Sequence, residues 1–149
     1  MDGLLPQSHH KTLLLDYQLP AHLQELEKLA AAVEEALPEH PDLAFSVNLC
    51  LDELITNTIL HGLQGAQNRL IRVRMNISVQ LLEIFIKDDA PHFDPFLQAP
   101  IPDLDLDLDE RQVGGLGVHL VKTLMDDVRT YYDGSGNLIV LLKTLRKEA

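Results

Sequence analysis

Hydrophobic and polar residues alternate with a period of two in several parts of the chain. Residues 71–79 carry apolar side chains at every second position, and residues 82–86 continue the alternation after a short gap. Residues 128–132 and 138–145 flank the sequence DGSGN, which is typical of a hairpin turn. A shorter apolar segment covers residues 11–17. The pattern predicts five strands, of which four form two hairpins.

Three other segments follow the spacing of a helix. The first begins at Pro20, because proline suits a first helical turn. The second is capped by Asp42 and ends near residues 61–62, and it is apolar on nearly every side. The third runs from Gly115 to Asp127. An all-round apolar helix is central rather than peripheral, so we expect the second helix to lie in the core.

The order of these elements is strand, two helices, two strands, loop, helix and two strands. This order predicts an α+β fold, a two-layer α/β sandwich with a mainly antiparallel sheet and helices on one face. The 149 residues suit a single domain, 1–149. Residues 88–113 lack periodicity and contain four prolines, and a connection of that length is typically functional or mobile.

Composition excludes some classes of partner. The formal charge of −11 argues against nucleic acid, because such binding depends on Lys and Arg neutralising phosphates. An acidic chain suits a basic protein partner, or the charge simply keeps a domain soluble. No run of 18 apolar residues and no signal peptide is found, so we expect a cytoplasmic protein without a membrane partner. Cys50 is the sole cysteine and has apolar neighbours, which favours a core position.

Candidate chemistry lies in three segments that come in a fixed order. They are LDELITNTILHG at 51–62, IKDDAPHFDP at 86–95 and GGLGVHLVK at 114–122. Glu53 and Asn57 are four residues apart in an apolar helix, so they share one face, where a carboxylate and an amide can share a magnesium-phosphate centre. Taken alone, this pair is more typical of the solvated stripe of a helix.

The other two segments suit a nucleotide. Asp88 directly follows a predicted strand, and an acceptor there can take a hydrogen bond from the exocyclic amine of adenine, a donor that guanine lacks at that position. Alternatively, Asp88 merely begins a turn. Gly114, Gly115 and Gly117 lie at the start of the third helix, whose free amides and dipole favour an anion such as phosphate.

The order and spacing of these segments make the chain resemble the GHKL ATPase superfamily, whose N, G1 and G2 boxes they match. Within it, the chain resembles the small anti-sigma factor serine kinases of the RsbW and SpoIIAB type. The resemblance implies a Bergerat fold, ATP with Mg²⁺, Glu53 as the general base and Asn57 as the magnesium ligand. It also implies an ATP lid at about residues 96–113. The ATP contacts that it implies, besides Asn57, are Asp88, Ala90, Phe93, Arg111, Gly115, Leu116, Gly117 and Val118.

The resemblance further implies a function in partner switching. Such a kinase binds a sigma factor and phosphorylates an anti-anti-sigma protein of the STAS type, and the family commonly works as homodimers. Arg111 suits either the γ-phosphate or a carboxylate of a partner. Ala90 and His92 replace family glycines, and Asn137-Leu138 stands where relatives often have threonine. These departures motivate the alternative of a catalytically weak or inactive ATP-binding module that acts by protein binding alone.

Overall fold

The computed structural model describes residues 10–66, 68–98 and 115–145, without the side chains of Gln98 and Leu116. Within these residues a 3₁₀ turn, Leu23–Glu25, precedes the first helix, and a π-helical turn, Thr58–Gly62, follows the second. The helices are α1 (Leu26–Ala36), α2 (Pro41–Asn57), α3 (Pro95–Gln98) and α4 (Gly115–Leu124). The strands are β1 (Thr12–Pro20), β2 (Leu70–Ile77), β3 (Leu81–Lys87), β4 (Asp127–Tyr132) and β5 (Asn137–Thr144).

The five strands form one sheet in the order β1-β2-β3-β5-β4. Every neighbouring pair is antiparallel. The two predicted hairpins are β2-β3 and β4-β5, and β5 also pairs with β3, which joins the hairpins into a continuous sheet. The predicted antiparallel sheet is therefore confirmed.

One face of this sheet is buried and the other is open. In β2, Ile71, Val73 and Met75 are fully buried, whereas Arg72 and Arg74 between them are exposed. The buried side packs against apolar residues of the helices, and each fully buried aliphatic side chain contributes roughly 1.5–3 kcal/mol. The helical members of this core include Leu29, Val33, Val47, Cys50, Leu51, Leu54, Ile55 and Val121. The fold is the predicted two-layer α+β sandwich.

Helix α2 is central, as its composition predicts. Leu51, Leu54 and Ile55 are at most 1% exposed. The helical segment Pro41–Gly62 is long and apolar enough to cross a membrane by length and composition, with mean hydropathy 1.3, but half of it is buried inside the fold. Burial of this kind is typical of the core helix of a globular domain.

The ends of two predicted helices were wrong. Pro20 ends the edge strand β1 rather than beginning a helix, since an edge position tolerates the missing N–H. Helical structure starts later, at Leu23–Glu25. Asp42 does not cap α2. His40 is the N-cap residue, Pro41 takes the first turn and Asp42 lies within that turn, where its charge still favours the helix dipole.

One C-terminal helix end was also predicted wrongly, whereas the helical run that begins with α2 ends at Gly62, as predicted. Helix α4 ends at Leu124, and Asp127 begins β4 instead of ending the helix. Helix α2 ends at Asn57, and the π-helical turn continues it to Gly62, with the Leu63 amide donating to the Thr58 carbonyl at 2.7 Å. Such π turns frequently lie beside functional sites, and this one follows Asn57 directly.

Candidate functional site

The structure brings the first and third of the predicted segments into direct contact. Glu53 lies on α2 and Gly117 lies near the start of α4, and these helices pack together. A Cβ atom at Gly117 would lie 2.0 Å from both Cδ and Oε1 of Glu53. The two helices can therefore hold this carboxylate between them only because residue 117 has no side chain.

Asn57 is oriented by the helix that carries it. Its side chain is buried, and its amide Nδ2 donates to the Glu53 carbonyl oxygen at 2.9 Å and to Glu53 Oε2 at 3.1 Å. Both hydrogen bonds go to residue 53, one turn earlier, because residues four apart lie on one helix face. Within the described part of the chain, no hydrogen bond reaches Asn57 Oδ1, so this oxygen is available to an external ligand.

The surroundings of Glu53 alter its acidity. Burial raises the pKa of Glu53 above its ordinary value, the hydrogen bond from Asn57 lowers this pKa, and the nearby charge of Asp52 raises it. Desolvation is the largest of these effects because it disfavours the charged form. A carboxylate with a raised pKa is a better proton acceptor, as a general base requires.

Asp88 is held at the end of β3 by donors to one of its two oxygens. The residue is 6% exposed, and Oδ1 accepts from Ala90 N at 2.8 Å, Asn137 Nδ2 at 2.9 Å and Asn137 N at 3.3 Å. The described residues place no donor on Oδ2. A fixed carboxylate with one free oxygen can accept one further hydrogen bond, such as that of an amino group.

The loop after Asp88 carries the residues that replace family glycines. Ala90 is 2% exposed and its methyl group belongs to the core, so alanine fits this position without displacing the loop. His92 is exposed, and its ring lies 5.0 Å from that of Tyr132. Phe93 lies against Gly62, where a Cβ atom would be 3.3 Å from the ring. This contact places the loop beside the π-helical turn that follows Asn57.

Leu138 points away from this site. It lines a depression of about 320 Å³ on the open face of the sheet, together with Arg72, Phe85 and Lys87. Because side chains alternate along a strand, the neighbouring Asn137 faces the buried side, where it contacts Asp88. Asn137, not Leu138, is therefore the residue of this strand that bears on the site.

Several contributors were missed by sequence reasoning. Gly136 lies so close to Asp88 that a Cβ atom would be 1.9 Å from the Asp88 carbonyl oxygen. Asp94 Oδ2 accepts from the Thr130 hydroxyl at 2.9 Å, and its Oδ1 accepts from Phe96 N at 2.9 Å, which ties α3 to β4. Apart from the local bond to Phe96, these contacts join distant parts of the chain, so no local pattern in the sequence signals them.

Part of the predicted site lies outside the described residues. Arg111 is not described, and of the lid predicted at 96–113 the structure describes only residues 96–98, in α3. Gly115 and Leu116 form the first turn of α4, and Val118 is 6% exposed. The ATP contacts of these residues stay predictions.

The donor set fits a magnesium ion that is held mainly by a nucleotide. Among the described residues, no group of three or more His, Cys, Asp or Glu side chains could hold a metal. Magnesium usually keeps several waters and takes one or two protein ligands besides the phosphates of its substrate. The free Oδ1 of Asn57 satisfies that requirement.

Comparison with curated proteins gives named relatives. The serine-protein kinase RsbW of Listeria monocytogenes is 32% identical over 105 residues, covering 68% of this chain and 66% of that kinase. The serine-protein kinase RsbW of Bacillus subtilis is 28% identical over 111 residues, covering 68% of this chain and 65% of that kinase. The match thus spans slightly less than two thirds of the length of these relatives.

Solved structures share the fold. The RsbU and RsbW domains of a Mycobacterium tuberculosis protein align with a TM-score of 0.57 at 16% identity, covering 89% of this chain and 31% of that one. The histidine kinase domain of a blue-light activated histidine kinase from Erythrobacter litoralis aligns with a TM-score of 0.50 at 18% identity, covering 84% and 61%. At these identities the likeness concerns the fold alone.

The family itself is established by a match over most of the chain. The model of the histidine kinase-like ATPase domain matches residues 18–143. Together with the RsbW relatives, this match confirms the resemblance inferred from the three boxes. The chain belongs to the histidine kinase-like ATPase family.

Proposed function

We propose that this protein is an anti-sigma factor with serine-protein kinase activity in a partner-switching system. The observation that carries the proposal is the contact between Glu53 and Gly117, which puts a carboxylate of raised pKa at the start of a glycine-rich helix. A helix start of this kind favours a phosphate group. The names of the RsbW relatives support the same reaction.

The proposed reaction is transfer of the γ-phosphoryl group of ATP to a serine of a partner protein. The serine oxygen forms a bond to the γ-phosphorus, the bond to the β–γ bridging oxygen breaks, and ADP leaves. Glu53 accepts the proton of the serine hydroxyl, and the free oxygen of Asp88 accepts a hydrogen bond from the adenine amine. Mg²⁺ would be held by Asn57 Oδ1, and when bound it neutralises charge on the phosphates.

The partners follow from the same proposal. The phosphorylated protein is an anti-anti-sigma protein of the STAS type, and the protein that is held inactive is a sigma factor. The charge of −11 suits a partner with a basic surface, since opposite charges speed association. The proposal includes a cytoplasmic location, a homodimer and a lid formed by residues 96–113.

A second candidate is a module that binds nucleotide and partners without phosphotransfer. His92 favours this second candidate, because its bulky ring stands at a position where kinases of the family have glycine. The ring contacts Tyr132, with the two ring centroids 5.0 Å apart. The two candidates differ only in the fate of the γ-phosphate. They agree on the fold and on the binding of ATP.

The deciding experiment combines binding with catalysis. The purified chain is titrated with ATP and magnesium by calorimetry, then incubated with Mg-ATP and a STAS-type protein from the same organism, and phosphoserine is measured by mass spectrometry. The kinase predicts a single phosphoserine on the STAS protein and none with Glu53→Gln, which keeps the shape of the side chain but cannot accept the proton. Normal ATP binding without any phosphoserine would favour the binding module. Absence of ATP binding would contradict both candidates.

A further inference from the structure

Asn137, at the start of β5, has the densest set of hydrogen bonds around the candidate site. It is 4% exposed, and 49 residues of sequence separate it from Asp88. Its Nδ2 donates to Asp88 Oδ1 at 2.9 Å, to the Pro91 carbonyl at 3.0 Å and to the Ala90 carbonyl at 3.4 Å. Its Oδ1 accepts from the Phe93 amide at 2.9 Å.

These contacts require the particular chemistry of an amide. The loop over residues 88–93 follows β3 and contains no helix or strand, so its buried backbone groups need partners from elsewhere. A single side chain supplies a donor to two carbonyls and an acceptor to one N–H. Aspartate at this position would lack the donors, and leucine would lack both functions.

The backbone brings Asn137 to this place. Asp88 N donates to the Asn137 carbonyl at 3.0 Å, and Asn137 N donates to Asp88 Oδ1 at 3.3 Å. The preceding Gly136 lies against the Asp88 carbonyl, where a Cβ atom would overlap it. The close approach of the backbone at residues 136–137 to that at Asp88 therefore brings the side-chain amide of Asn137 within hydrogen-bond distance of the Asp88 carboxylate.

The effect on Asp88 is to distinguish its two oxygens. All the donors that the described residues supply, two of them from Asn137, point at Oδ1, which fixes the rotation of the carboxylate. Oδ2 is left as an acceptor that receives no hydrogen bond from the described residues, on a residue that is 6% exposed. A purine with an amino group at position 6 would donate to this oxygen, whereas a 6-oxo group would present a lone pair to it and be repelled.

We propose that Asn137 is a positioning residue that gives the site its preference for 6-aminopurine nucleotides over 6-oxopurine nucleotides. It acts through Asp88 and the loop over residues 90–93, without touching the reacting phosphates. The inference rests on the proposed function, because it assumes that ATP binds at Asp88. It adds a residue that is not among the sites implied by the three boxes.

The test compares ATP with GTP and ITP, which carry an oxo group at position 6. Calorimetric titration with magnesium is carried out on the unmodified chain, on Asn137→Ala and on a control, Ser78→Ala. Ser78 Oγ accepts from the amides of Gln80 and Leu81 in the β2-β3 turn, at the opposite end of β3 from Asp88. The control therefore removes side-chain hydrogen bonds from a distant turn without touching the site.

Asn137→Ala should lower the affinity for ATP by about tenfold or more, as expected for loss of a hydrogen bond to a charged group. Its affinity for GTP and ITP should change less, so the selectivity ratio falls, whereas Ser78→Ala should leave the ratio unchanged. In a chain that already carries Asp88→Asn, the same Asn137→Ala change should cost clearly less ATP affinity, because Asn137 acts through the carboxylate.

A merely structural role predicts something else. All three nucleotides would then lose affinity by the same factor, in proportion to the loss of thermal stability, and the effects of the two substitutions would add; that result overturns the inference. If Asn137→Ala does not fold, Asn137→Val replaces it, since valine suits a strand and has neither donor nor acceptor, and the same fall in selectivity is expected. An unchanged selectivity ratio in Asn137→Val also overturns the inference. If the unmodified chain does not bind ATP, the proposed function is overturned too. If the unmodified chain binds ATP and only the selectivity result fails, the inference alone is overturned.

Discussion

The side chain of Glu53 occupies the space that any side chain at position 117 would need. The would-be Cβ of Gly117 is 2.0 Å from the carboxylate carbon of Glu53, far inside van der Waals contact. Because Gly117 lies in the first turn of α4 and Glu53 lies on α2, this close approach brings a proposed base beside a proposed phosphate site.

Gly117→Ala should displace the Glu53 carboxylate and slow phosphotransfer. The methyl group would force this side chain to move by more than an ångström, and misplacement on that scale costs about 10²-fold in rate. The rate of phosphoserine formation is measured at saturating ATP, with His119→Ala, an exposed residue of the same helix, as the control. A Gly117→Ala rate equal to that of the unmodified chain would mean that the position of Glu53 does not matter.

Phosphotransfer should require a higher pH than it would if the general base had the ordinary pKa of a glutamate. Burial raises the pKa of Glu53, so the ionised, basic form is lost as pH falls through this raised pKa, and the rate should fall with it. Asp52→Asn removes an exposed charge that raises the pKa of Glu53. The acid limb of the pH–rate profile should then move to lower pH. An acid limb that does not respond to Asp52→Asn would argue against titration of Glu53.

The raised pKa of Glu53 should affect stability in the opposite direction, because low pH favours the folded state although it slows phosphotransfer. A carboxyl whose pKa is raised by folding favours the folded state while it is protonated. This contribution is complete below the pKa of the unfolded chain and is lost as pH rises through the folded pKa. Glu53→Gln should remove this part of the pH dependence of the free energy of unfolding, as measured by urea denaturation across the acidic range.

Asp88→Asn should weaken ATP binding and reduce the preference for ATP over GTP. Loss of a hydrogen bond to a charged group predicts a cost of roughly 1–3 kcal/mol in binding free energy. Asp89→Asn is the matched control, since Asp89 is adjacent but exposed and forms an ion pair with Arg69 at 2.9 Å. Calorimetry with both nucleotides measures the effect. Equal losses in the two variants would show that position 88 has no special contact with adenine.

Gly136→Ala should destabilise the protein more than Gly134→Ala. At position 136 the new methyl group overlaps the backbone carbonyl of Asp88, which cannot rotate away, and overpacking of this kind costs roughly 1–3 kcal/mol or more. At position 134 the space is open, and only the left-handed backbone, with φ of 91°, opposes a side chain. Urea denaturation gives both free energies of unfolding. The opposite ranking would contradict the close approach of β5 to Asp88.

Local patterns were sufficient for most of the fold and for part of the site. Alternation in β2 and β3 has a direct physical cause, because one face is buried, so strand positions could be predicted within a few residues. Glu53 and Asn57 could be paired because their separation is that of one helical turn. Pro20 and Asp42 were misplaced because their residue types suit more than one position near a helix start.

Contacts between distant segments could not be predicted in the same way. Nothing near residue 137 in the sequence indicates that its amide reaches Asp88 and three backbone groups of a loop. Nor does the sequence reveal that Gly136 meets a carbonyl oxygen rather than solvent. Such contacts depend on the strand order, which places β5 beside β3, and strand order is a property of the assembled sheet.

That strand order also affects how the chain is made. Strand β5 lies between β3 and β4, although β4 comes before it in the sequence. During synthesis β4 therefore emerges with no strand to pair with, and β3 keeps an open edge, which is where sheets aggregate, until residues 137–144 follow. Asn137 arrives with this same strand, so the last gap in the sheet and the network around Asp88 close in one late event. A nucleotide that depends on this network would bind only chains in which β5 already covers the open edge of β3.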